Sequence, residues 1–205
     1  MERRSFPTEF RVEGEGGNRK ITGLAARFNS RSPEYYGVRE VIEPHFFRAA
    51  LQSSDPLFAL LNHDENFILA ERNAGTLAAW EDGDGLRYSF SPSDNQRNRD
   101  YVLTPMDRGE LTGSSFGFGL KKRGVGYELE DDEETGGVLR RLLPDGADRL
   151  YDVSPVAYPY YDETEASARM ARSIQDFIKD RKIRMIPENH ITQALRKQRA
   201  RSLFM

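Results

Sequence analysis

The chain has 205 residues, 38% of them apolar and 31% charged, which suits one domain with a proper core and a polar surface. Cysteine is absent, excluding disulfides and thiolate chemistry, and the three histidines, His45, His63 and His190, show no metal-binding spacing. The net charge of −3 is unevenly spread: residues 169–205 hold ten Lys/Arg and three Asp/Glu, or +7, which leaves −10 for the rest and suggests self-association or an electrostatic partner.

The opening stretch, MERRSFPTEF, carries basic residues with no apolar segment behind them, so no secretory signal is expected. Short runs rich in β-branched and aromatic residues then alternate with turn signals, which predicts a β-rich domain. The expected strands are 21–28, 37–42, 57–61, 75–80, 86–91, 112–120, 138–142 and 150–156. Even the most apolar of these, such as 57–61, is far too short to span a bilayer. A helix is expected from Pro44 through Leu51, with Pro in its first turn, and another from about Asn95 to Arg108, stopping at Gly109. Asp82-Gly83-Asp84-Gly85 reads as a hairpin turn. The acidic run 128–137 reads as a solvated loop without the alternating ligand pattern of a cation site. Past Pro159 the pattern turns helical and basic. Ser173 suits an N-cap for Ile174, Phe177 and Ile178, Pro187 breaks the helix, and Thr192 can cap a second piece at Ala194-Leu195.

The stretch from Glu110 to Leu120, ELTGSSFGFGL, carries the chemistry. Read as a strand, it places Ser114, Phe116 and Phe118 on one face and Gly113, Ser115, Gly117 and Gly119 on the other. The Phe face calls for a core. The opposite face is bare backbone with a single hydroxyl, a surface that another backbone can approach, and Ser115 is the better candidate nucleophile. Gly113–Gly117 also fits G-x-S-x-G, but that motif needs a strand, a sharp turn and a helix, and here strand-like sequence continues. A serine needs a base. His63, where the apolar run 57–61 meets polar loop, is the natural one. An imidazole base in turn needs an orienting group. Asp152, within the apolar strand RLYDVSPVAYP, is the candidate, and the neighbouring Asp64 is the alternative.

The ordered blocks ITGLAARFNS, REVIEPHFFRAAL, LLNHDEN, AGTLAAWEDGDGLRYSF, LTGSSFGF and LYDVSPVAYPYYDETEA, between Ile21 and Ala166, resemble the prohead proteases of tailed bacteriophages. The resemblance implies a serine endopeptidase with an α+β fold like that of the herpesvirus assemblins: a mainly antiparallel, β-barrel-like core surrounded by helices, followed here by a helical C-terminal appendage. The expected organisation is an N-terminal arm (1–20), a protease domain (21–162) and a basic helical C-terminal tail (163–205). The family's Asn-His-Asp segment matches Asn62-His63-Asp64, and its Ser-x-Gly-Phe segment matches Ser115-Phe116-Gly117-Phe118. The family's acidic residue before Val-Ser in a late strand, often Glu, matches Asp152, so the catalytic set implied is Ser115, His63 and Asp152. His45 stands where the family pattern has Gly.

The implied task is capsid maturation inside the phage procapsid, in the bacterial host cytoplasm. The expected substrates are the scaffold, the scaffold-like segment of the major capsid protein, and the protease itself. A homodimer or higher homo-oligomer is expected. No cofactor, metal, membrane or specific nucleic acid is expected. The competing reading is a non-enzymatic scaffold or an inactive relative of the proteases.

Overall fold

The computed structural model describes residues 1–8, 10–14, 19–34 and 37–158, so the expected C-terminal helices and His190 lie outside the described residues. Among the described residues, twelve strands form three separate sheets. The first sheet contains β1 (Glu2–Pro7), β9 (Gly113–Leu120), β12 (Ala147–Val156), β5 (Phe58–Leu61) and β6 (Asp64–Glu71), in the order β1-β9-β12-β5-β6. The second runs β10 (Tyr127–Asp132), β11 (Gly137–Leu142), β4 (Val38–Ile42). The third runs β2 (Arg11–Glu13), β3 (Lys20–Arg27), β8 (Gly85–Phe90), β7 (Leu77–Glu81). Most pairings are antiparallel, but β12–β5 and β11–β4 are parallel, so two of the sheets are mixed.

The fold is α+β, but the expected β-barrel-like core surrounded by helices is not what forms. Each sheet ends in two edge strands, with no ladder joining its ends, so none closes. Among the described residues, helix is limited to α1 (Arg48–Gln52), α2 (Gln96–Asn98), a π-helical turn (Arg99–Leu103) and α3 (Thr104–Asp107), too little to surround a core. The helix expected to start at Pro44 begins only at Arg48, because His45 sits at φ 70° and breaks the right-handed path. A left-handed backbone at 45 is also the conformation that the glycine expected there would adopt freely. The second helix forms with a π-turn just ahead of Pro105, where the missing N–H interrupts the α ladder, and it stops at Gly109 (φ 68°). The Asp82–Gly85 turn joins β7 to β8, with Asp82 Oδ1 accepting from the amides of Asp84 (2.9 Å) and Gly85 (3.2 Å).

One apolar core lies under the Phe face of β9. Phe116 and Phe118 are buried and meet Phe47 and Phe46 edge-on, at 5.2 and 5.6 Å between ring centroids. The opposite face of β9 is thus turned away from the core, as alternation requires.

Strand β1 is tied down by charge. Arg4, 7% exposed, and Arg140, 2% exposed, both donate to the buried Glu40 carboxylate, and Glu2 accepts from both arginines. Burial pushes the Glu40 carboxyl up, but Arg4 and Arg140 outweigh it and hold its pKa below the ordinary glutamate value. The stability Glu40 contributes is therefore fully present above the ordinary unfolded-state value and is lost as pH falls through its lower folded-state value. Glu40→Gln removes one of the two carboxylates that the buried Arg4 and Arg140 guanidinium groups share, and is expected to cost about 3 kcal/mol at neutral pH. Chemical denaturation at a series of pH values checks this: the gap between wild type and variant should narrow below about pH 4.5. A gap that widens in acid would contradict the assignment.

Candidate functional site

Ser115 stands on β9 facing away from the phenylalanine core, with its neighbours on the core face at Phe116 and Ser114. The Ser114 hydroxyl instead pairs with Tyr88 Oη at 2.9 Å in the interior, where burial pushes the Tyr88 phenol well up. The two adjacent serines thus serve opposite sides of one sheet.

His63 is presented by the turn between β5 and β6. Leu61 pairs with Asp64, so Asn62 and His63 are the two central residues of a tight hairpin, and both have positive φ (53° and 59°). This is the pattern of a type I′ turn, which Asn enters readily and His only at a cost of about 1–2 kcal/mol. Asn62 fastens the turn to the end of β12: its N–H donates to the Pro155 carbonyl (2.9 Å) and its Oδ1 accepts from the Ala157 N–H (2.9 Å).

Asp152 reaches the same place through a β-bulge. Leu150 pairs with Phe118 and Asp152 with Gly117, so two steps on β12 match one on β9. Without that bulge Asp152 would follow Leu150 into the core. With it, Asp152 and Ser154 lie on the Ser115 side while Leu150 and Val153 stay in the core. Gly117 makes the room. A Cβ there would lie 2.3 Å from Asp152 Oδ2, so the glycine face of β9 accommodates a carboxylate rather than standing open.

These three segments converge. His63 Nδ1 lies 2.5 Å from Asp152 Oδ1, and His63 Nε2 lies 2.6 Å from Ser115 Oγ. The Ser154 hydroxyl donates a second hydrogen bond to Asp152 Oδ1 at 2.6 Å. Ser115 is 1% exposed and Asp152 3% exposed, so the row is sheltered from water. Ser115 Oγ also lies 2.8 Å from the Arg4 carbonyl on β1. One hydroxyl proton cannot serve both acceptors. With neutral imidazole it points to His63 Nε2, and with imidazolium, which donates from both nitrogens, it turns to the Arg4 carbonyl.

The alternatives do not join the row. Asp64 accepts from the backbone and side-chain amides of Asn66 at 2.8 and 3.0 Å. His45 is exposed, with Nδ1 3.5 Å from Glu81 Oε2. Among the described residues, no group of three or more metal-ligating side chains could hold an ion, and no helix is long and apolar enough to cross a membrane. Sequence reasoning missed Asn62, Ser154 and the Arg4 carbonyl. Alternation from Asp152 would have found Ser154; a backbone carbonyl leaves no trace in side-chain pattern.

A serine, an imidazole and a carboxylate in one hydrogen-bonded row is the arrangement that serine peptidases use. The family model described as caudovirus prohead serine protease matches residues 7–180. The chain belongs to the family of caudovirus prohead serine proteases. A comparison with curated proteins finds no match. Among solved structures, the bacteriophage T4 capsid assembly protease, gp21, is similar with a TM-score of 0.41 and 13% identity, over 76% of this chain and 99% of that one.

Proposed function

We propose that the protein is a serine endopeptidase of capsid maturation that uses Ser115 as nucleophile, His63 as general base and acid, and Asp152 to orient the imidazole. The observation that carries this reading is the unbroken row from Asp152 Oδ1 through both His63 nitrogens to Ser115 Oγ, in a chain of a serine protease family. Asp152 accepts from Nδ1–H, which fixes the tautomer whose Nε2 is free to take a proton. Ser115 Oγ forms a bond to the scissile carbonyl carbon as its proton passes to Nε2. The C–N bond breaks as His63 returns that proton to the leaving amine. Water, deprotonated by the same nitrogen, then adds to the acyl carbon, and Ser115 leaves with its proton restored. Backbone amides stabilise the oxyanion formed in each half.

The substrate is a protein segment bound in extended form: the scaffold or the scaffold-like part of the major capsid protein, within the procapsid, and the protease's own chain. Mass spectrometry of the protein co-assembled with its capsid protein and scaffold tests this. New internal termini, absent when the protease is omitted, are expected. Full-length capsid protein and scaffold in a completed shell would favour a non-enzymatic scaffold.

A further inference from the structure

A cavity of about 340 Å³ opens on the Ser115 side of the first sheet and has Asp152 in its wall. The strand registers place it. Ser5, Ser115 and Ser154 lie abreast across β1, β9 and β12, and Arg3, Gly117 and Asp152 form the next row. Gly119 and Arg149 lie abreast one step further along. Two residues of strand span about 6.6 Å, so the cavity begins about two extended residues from the Ser115 hydroxyl.

Its lining is of two kinds. Phe58, Leu60 and Ile68 supply apolar walls, and Ile68 is 54% exposed although it is large and apolar. Arg3 and Arg149 supply charge, and the Nε of each is buried without a hydrogen-bond partner among the described residues. Neither has an anionic partner there, while Arg4, next to Arg3, is held by Glu2 and Glu40. The Arg149 guanidinium lies over the Tyr151 ring at 4.9 Å, which limits its freedom. A buried guanidinium donor left unpaired is costly, and a site that keeps two beside apolar walls is suited to an anion on an apolar stem. Of the two carboxylates in the lining, Asp152 is occupied by His63 and Ser154, and Glu65 is exposed.

We infer that this cavity is a substrate subsite that selects an acidic side chain, glutamate or aspartate, within two residues of the scissile bond, through Arg3 and Arg149. The inference rests on the peptidase reading above and names its specificity. Cleavage of a chymotryptic peptide mixture from a bacterial lysate by the full chain, with new termini mapped by mass spectrometry, tests it. Glu and Asp should be enriched at least about fivefold at one position within two residues of the cut. Arg149→Glu should reverse that preference toward Lys and Arg, and Arg149→Lys should retain it. Should Arg149→Glu fail to fold, Arg149→Gln must abolish the enrichment. Ser115-dependent cleavage with no acidic preference, or with a basic one, overturns the subsite and leaves the peptidase reading intact. Absence of any Ser115-dependent cleavage overturns both.

Discussion

Replacing Ser115 by Ala is expected to lower the cleavage rate by about 10⁶ while the fold survives. The loss is large because, among the described residues, the hydroxyl that partners His63 Nε2 is that of Ser115, at 2.6 Å. The fold survives because Ala keeps the Cβ and the β9 ladder and removes one hydroxyl, a change of roughly 1 kcal/mol, or about 2–4 °C in Tm. Ser114→Ala provides the contrast. It strips Tyr88 Oη of its partner in the core, so stability should fall by about 1–3 kcal/mol, yet cleavage should continue. Rates on a cleaved capsid or scaffold segment, read beside thermal melts, separate the two serines. Loss of cleavage in Ser114→Ala alone would place the nucleophile on the wrong side of the strand.

Asp152→Asn should cost about 10⁴ in rate with little change in structure. The carboxylate accepts from His63 Nδ1–H, and an asparagine amide in its place can donate to Nδ1 instead. That stabilises the tautomer with its proton on Nε2, where it blocks acceptance from Ser115. Steric change is small because Asn and Asp are nearly the same size and Gly117 still provides the space. Ser154→Ala, which removes one of two donors to the same Oδ1, should have a much smaller effect. Turnover numbers for the three proteins decide it, and an Asp152→Asn enzyme within tenfold of wild type would show that the carboxylate does not hold the imidazole.

What was legible in the sequence follows burial. The eight strands expected from apolar and β-branched runs all form, with ends shifted by a few residues at most. The four strands missed, β1, β2, β6 and β10, each lie at the edge of a sheet. Edge strands carry charge that discourages further pairing, and ERRSFP, DENFILAE and YELEDD read as polar loop when hydrophobicity is the guide. Their pairing is set by the neighbouring strand and, for β1, by the buried cluster around Glu40. A barrel was expected through family resemblance, and no local pattern bears on whether a sheet's ends meet.

The grouping of the candidate residues follows a related logic. Alternation separated Ser114 from Ser115 because β9 is regular. On β12 strict alternation from Leu150 would have failed, since the bulge re-aims Asp152, and a bulge has no side-chain signature in LYDVS. The left-handed backbone of His63 was likewise hidden, though Asn62 ahead of it is the residue that such a turn favours.

Treatment of the folded full chain with an aryl fluorophosphonate, followed by peptide mapping, tests the central claim most directly. Such a reagent captures a serine whose proton a neighbouring base can take, and it needs no knowledge of the substrate. A single adduct on Ser115, lost in His63→Ala, is the expected result. An unmodified Ser115 in the folded protein, or an adduct that forms equally well without His63, would contradict it.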